Sequence, residues 1–135
     1  MATQVTNPHR ERQLNQWLDC VRGLLDAIRQ WSEEQGWPVA EDKKNIREDS
    51  LGDYTAPILH IRTPDGQLFV EPIAREILGG AEGRVDLEAW PSLNRVKLLR
   101  TADRWQAVTD SGVPLHEPWD QQRFVQLVKD LVSHR

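Results

Sequence analysis

The chain has 135 residues, of which 39% are hydrophobic and 28% charged, and carries a formal net charge of -4. That length supports one hydrophobic core and hardly two, so residues 1–135 read as a single domain, and the composition excludes a disordered, collagen-like or membrane-spanning chain. The N-terminal MATQVTNPHRERQ has no apolar run of the signal-peptide kind, and nowhere do about 18 apolar residues follow one another. The expected location is the cytoplasm, with no membrane partner.

The charge is unevenly spread. Between Glu33 and Asp53 seven acids face only Lys43, Lys44 and Arg47, whereas Arg95, Lys97, Arg100 and Arg104 face the single acid Asp103. Four bases in a chain of pI near 5.5 fall short of the broad basic face that nucleic-acid binding draws on, so no nucleic-acid partner is expected. One cysteine, Cys20, forms no internal disulfide, and His9, His60, His116 and His134 are too scattered to build a metal-ligand spacing with it. No cofactor is expected.

In chain order, Leu14, Trp17, Leu18, Val21, Leu24, Leu25, Ile28 and Trp31 recur at three- and four-residue steps and predict a long amphipathic helix. Asn7 can cap it, Pro8 suits its first position, and Gly36 can take the left-handed conformation that ends it, with Trp37 folding back on the last turn. A polar segment, Val39–Asp53, reads as an edge strand or a loop, any strand falling within Val39–Glu48. Ile58–Arg62 and Gln67–Glu71 flank Thr63, Pro64, Asp65 and Gly66, so they should pair as a hairpin, with proline presetting the turn and glycine free to take a positive dihedral. Pro72 then blocks simple extension, and Ile73, Ala74, Ile77 and Leu78 predict a short helical turn. Val85, Leu87 and Ala89 alternate with Arg84, Asp86, Glu88 and Trp90, the two-residue period of a half-buried strand. Arg95–Arg100 and Trp105–Thr109 predict a second hairpin. A closing helix from about Trp119 to Ser133, opened by Pro118, carries Phe124, Val125, Leu127, Val128, Leu131 and Val132. The fold class is α+β: a mostly antiparallel sheet of five to six strands, flanked on one face by a long N-terminal helix and a C-terminal helix.

The strand positions Arg84, Asp86 and Glu88 project their charges to one side about 7 Å apart at the backbone, with Lys97 on the next strand. Two carboxylates and a lysine could hold a divalent cation and polarise a water, in the manner that resembles nucleases of the restriction-endonuclease-like class. That class places an acid on one strand and a Glu-x-Lys pair on the next, whereas here both acids share a strand and Lys97 has no adjoining acid. The competing reading is a solvated sheet face laced by cross-strand ion pairs.

Other features read more simply. Gly79, Gly80 and Gly83 lead into a strand and lack both the Walker lysine and GxGxxG spacing, so they form a turn rather than a phosphate loop. His60 lies in an apolar strand with no nucleophile to activate, His116 with Glu117 forms an isolated pair, and Cys20 packs at the edge of the first helix's stripe. Six tryptophans stand beside one tyrosine and two phenylalanines. Trp90 falls on the charged phase of its strand, where an aromatic among arginines has the composition of a protein-recognition hot spot, or else sits under a loop or a second subunit.

Two functions of different class follow. One is a small adaptor, a homodimer or a binder of another protein, using Arg84, Asp86, Glu88, Trp90, Arg95 and Lys97; its element order and acidic balance resemble those of effector chaperones of type III secretion and of immunity proteins that neutralise toxins. The other is a metal-dependent hydrolase or nuclease using Asp86, Glu88 and Lys97, joined by an acid from the first helix. A small-ligand pocket between sheet and helices is a third arrangement to which the sequence assigns no residues.

Overall fold

The computed structural model describes residues 8–77, 81–115 and 118–133. The expectations placed on Asn7, Leu78, Gly79, Gly80, His116 and Glu117 lie outside the described residues. Helix α1 (Pro8–Glu34) is followed by strands β1 (Val39–Glu48), β2 (Gly52–Thr63), β3 (Gly66–Ala74), β4 (Arg84–Trp90), β5 (Arg95–Thr101) and β6 (Arg104–Thr109), and by helix α2 (Gln121–Val132). The six strands form one sheet in sequence order, every neighbouring pair antiparallel.

Both helices bury their apolar stripes on one sheet face. Trp17, Val21, Leu24, Leu25 and Ile28 of α1 meet Phe124, Leu127, Val128 and Leu131 of α2 over Leu59, Ile61, Leu68, Val70, Val85, Leu87, Ala89 and Leu98, in one contiguous core. Each such side chain contributes about 1.5–3 kcal/mol when fully buried, before conformational entropy is charged. Aromatic contacts lock α1 and the residues just after it onto α2, Trp31 to Phe124 at 5.7 Å and Trp37 to Phe124 at 6.5 Å between ring centroids.

The end of α1 follows its sequence. Gly36 has φ +78°, the Trp37 N–H donates to the Ser32 carbonyl at 3.0 Å and the Gly36 N–H to the Glu33 carbonyl at 2.9 Å, the paired bonds of a Schellman motif. Trp37 is thereby folded into the core. Val39–Glu48 is a full strand, paired over its whole length with β2. Its partner carries Pro57, tolerated because the β2–β3 ladder begins only at Leu59, so one side of Pro57 has no ladder to break. The buried residues of β2 change phase across this proline, from Tyr54 and Ala56 to Leu59 and Ile61.

Three expectations need correction. No helical turn follows Pro72 among the described residues: β3 runs on to Ala74, with a bulge between Pro72 and Ala74 that accommodates the missing N–H. The backbone N–H groups of Arg75 and Glu76, which a helix would have turned inward, donate instead to the Glu48 carboxylate at 3.0 Å. The same carboxylate accepts from the Tyr54 hydroxyl, which in turn accepts from the Trp17 indole N–H at 3.1 Å. Second, α2 is capped by Asp120, whose carboxylate accepts from the Arg123 N–H at 2.9 Å, so Pro118 lies before the cap.

Third, Gly66 is absent from the glycines with positive φ. Its lack of a side chain matters for space: a Cβ there would stand 2.9 Å from the Trp90 carbonyl oxygen and 3.2 Å from Val132 Cβ. In the β5–β6 hairpin it is Ala102 (+49°) and Asp103 (+63°) that take positive dihedrals, the pattern that matches a two-residue turn to strand twist.

Candidate functional site: the outer sheet face

The alternation that buries Val85, Leu87 and Ala89 under the helices sends Arg84, Asp86, Glu88 and Trp90 to the opposite face. Strand register sets their neighbours. One row crosses the sheet through His60, Phe69, Glu88 and Arg95; the next through Glu71, Asp86, Lys97 and Val108; Gln67 lies opposite Trp90, and Arg84 opposite Leu99. All six residues singled out from sequence therefore share one surface.

Their roles on it differ. Asp86 is only 5% exposed, so on a sheet face expected to be solvated and laced by ion pairs this carboxylate is buried. Arg84 accounts for this by forking onto it from two residues away on the same strand, Nε to Oδ1 at 2.7 Å and Nη2 to Oδ2 at 2.8 Å. Hydrogen bonding to Asp86 outweighs partial burial and holds the Arg84 guanidinium above its ordinary pKa. Arg95 stands at the centre of the acids: Nη1 is 3.8 Å from Asp86 and 3.9 Å from Glu88, while Nε donates to Asp110 at 3.2 Å. The Arg95 hydrogen bond holds the Asp110 carboxyl below the usual range, and the charges of Lys97 and Arg84 add to the effect.

Against this polar lattice stand aromatic groups. Trp90 is 52% exposed, so the question of core against surface resolves to surface. Phe69, 39% exposed, stacks on His60 with ring centroids 4.6 Å apart and an interplanar angle of 4°, and His60 Nε2 is hydrogen-bonded to the Gln67 side chain. Sequence reasoning left Phe69 and His60 out of the site. The signal was present in the phase of β3, where Leu68 and Val70 take the core and leave Phe69 opposite.

The β4–β5 turn that follows Trp90 is pinned from the other side of the sheet. Ser92 Oγ and Asn94 Nδ2 both donate to the Leu131 carbonyl, at 2.6 and 3.0 Å, satisfying an orphan acceptor in the last turn of α2. With Gly66 allowing close approach to the Trp90 carbonyl, the indole is carried on a fixed backbone.

Both Asp86 oxygens accept from Arg84, and two guanidinium groups occupy the space beside Asp86 where a cation would stand. Among the described residues no group of three or more His, Cys, Asp or Glu side chains is placed to hold a metal ion. No helix among the described residues is long and apolar enough to cross a membrane.

Comparison with known protein families finds no family model that matches the chain, and comparisons with curated proteins and with solved structures find no match either.

Proposed function

We propose that the chain is a cytoplasmic protein-binding adaptor, chaperone-like or immunity-like in role, that docks a protein client or a second copy of itself on the outer sheet face. The observation that carries this reading is a sheet face on which two exposed aromatics, Trp90 and Phe69, are set in a lattice of charges already paired with one another. Large, stiff aromatic side chains supply apolar contact area at low entropic cost, and pre-paired charges at their rim select partners without needing to be ordered on binding. Glu88, Arg95 and Lys97 are the polar rim; Arg84 and Asp86 hold that rim in place.

The test is capture of the client by tagged parent protein and by Trp90→Ala, followed by affinity measurement on the purified pair and by sedimentation of the chain alone. Loss of an anchor of this kind costs about 2 kcal/mol or more, a roughly thirtyfold weakening. Unchanged affinity for the client and unchanged self-association in Trp90→Ala, with the fold intact by circular dichroism, would remove the outer face from the account.

A further inference from the structure

We propose that a second site, the groove between α1, the β5–β6 hairpin and the lead-in to α2, binds a small aromatic monocarboxylate, with its ring among tryptophans and its carboxylate at Arg100. The groove has a volume of about 460 Å³, within the range of small-molecule pockets. Its walls are indoles: Trp31 and Trp119, edge to face at 5.8 Å, and Trp105. Half of the six tryptophans of the chain meet here, away from the outer sheet face.

Its floor is kept open by α1. Cys20, Gly23 and Ala27 succeed one another along the helix, and a Cβ built on Gly23 meets nothing within 4 Å. Glycine in a helix interior is unfavourable relative to alanine. Gly23 is exposed, so its missing side chain leaves open surface beside the indoles against which a ligand ring can lie.

The polar groups set the chemistry of the ligand. Arg100 lies 5.5 Å above the Trp105 ring and makes no ion pair among the described residues, in contrast to Arg84 and Arg95. A guanidinium placed beside an indole keeps N–H donors for a carboxylate, the bidentate partner that suits it best. The Trp119 indole N–H is buried and, among the described residues, makes no hydrogen bond, so a small shift that brought it to a ligand oxygen would break none. Asp19, exposed on the α1 rim, opposes a second negative charge and can accept from a ring N–H. Together these favour an indole-type acid with one carboxylate over a polyanion or a plain acyl chain.

Indoleacetate is the probe, titrated by calorimetry and followed through the indole N–H resonances, with the Trp119 signal assigned by Trp119→Phe. Saturable one-to-one binding that moves the Trp119 signal is expected. Arg100→Gln should weaken indoleacetate at least tenfold and leave the neutral analogue tryptophol unaffected. Gly23→Leu should abolish binding of both with the melting temperature retained, while Trp90→Ala should leave binding intact. The proposal is overturned if indoleacetate shows no saturable binding, if Gly23→Leu binds as the parent does, or if decanoate binds as tightly as indoleacetate.

Discussion

Replacing Asp86 by alanine isolates what holds the outer face in order. The side chain is 7% exposed and its partner Arg84 25%, so the pair is shielded but not fully dry. Removing one member of a fully buried pair costs about 3–5 kcal/mol, because a charge is left uncompensated; with Arg84 still reaching water on one side, about 2–3 kcal/mol is the expected loss. Part of that loss reflects repulsion, since Arg84 and Arg95 would then face each other without the carboxylate between them. Urea denaturation of Asp86→Ala, Arg84→Ala and the double variant measures it as a cycle, in which the double variant should cost less than the sum of the two. Magnesium or manganese at saturating concentration should leave the melting temperature of the parent where it was, because the arginines neutralise Asp86. A loss below about 0.5 kcal/mol for Asp86→Ala, in the range of an ordinary surface substitution, or a metal-induced stabilisation that this variant abolishes, would refute the reasoning and revive the hydrolytic alternative.

Further perturbations probe the frame beneath that face. Gly66→Ala forces a methyl to 2.9 Å from a backbone oxygen; it should cost about 1–3 kcal/mol in chemical denaturation, as overpacking does, and should displace Trp90. Asp120→Ala removes the cap of α2 and should cost about 1 kcal/mol. Tyr54, the sole tyrosine, has its pKa raised by burial first and by the Glu48 carboxylate second. An unfolded tyrosine loses its proton near pH 10, while the folded one keeps it. Its contribution is therefore complete below about pH 10 and declines as the pH rises toward the folded value. Phenolate absorbance should show a single titration above the ordinary range, and Tyr54→Phe should flatten the alkaline fall in stability.

The parts of the fold legible in the sequence are those where local chemistry and tertiary packing agree. The stripe of α1, the Gly36 terminus and the Thr63–Gly66 hairpin each carry their signal within a few residues. The stretch after Pro72 misleads because Ile73, Ala74 and Ile77 fit a helical step over too short a window, while the competing force comes from far away: Lys44 donates to the Pro72 carbonyl at 3.2 Å and Glu48 takes the N–H groups of Arg75 and Glu76. Gly66 was read through its dihedral freedom, yet its constraint is the Trp90 carbonyl and Val132, neither adjacent in sequence.

The site was legible as a face and not as an arrangement. Strand alternation places Arg84, Asp86, Glu88 and Trp90 together without any long-range information. That Asp86 is buried follows from its fork with Arg84 and from Arg95 arriving across the sheet, and that Phe69 joins Trp90 depends on the β3–β4 register, Phe69 opposite Glu88 and Gln67 opposite Trp90. The groove beside Cys20 was hidden for a similar reason, since Trp105 and Trp119 reach α1 from distant parts of the chain.

Oxidative footprinting of the chain, alone and bound to its captured client or in its self-associated form, tests the central claim most directly. The account predicts that Trp90 and Phe69 lose reactivity on binding while Trp31 and Trp119 keep theirs. Protection confined to α1 or to the edge strand β1, with Trp90 and Phe69 as reactive as in the free chain, would contradict it.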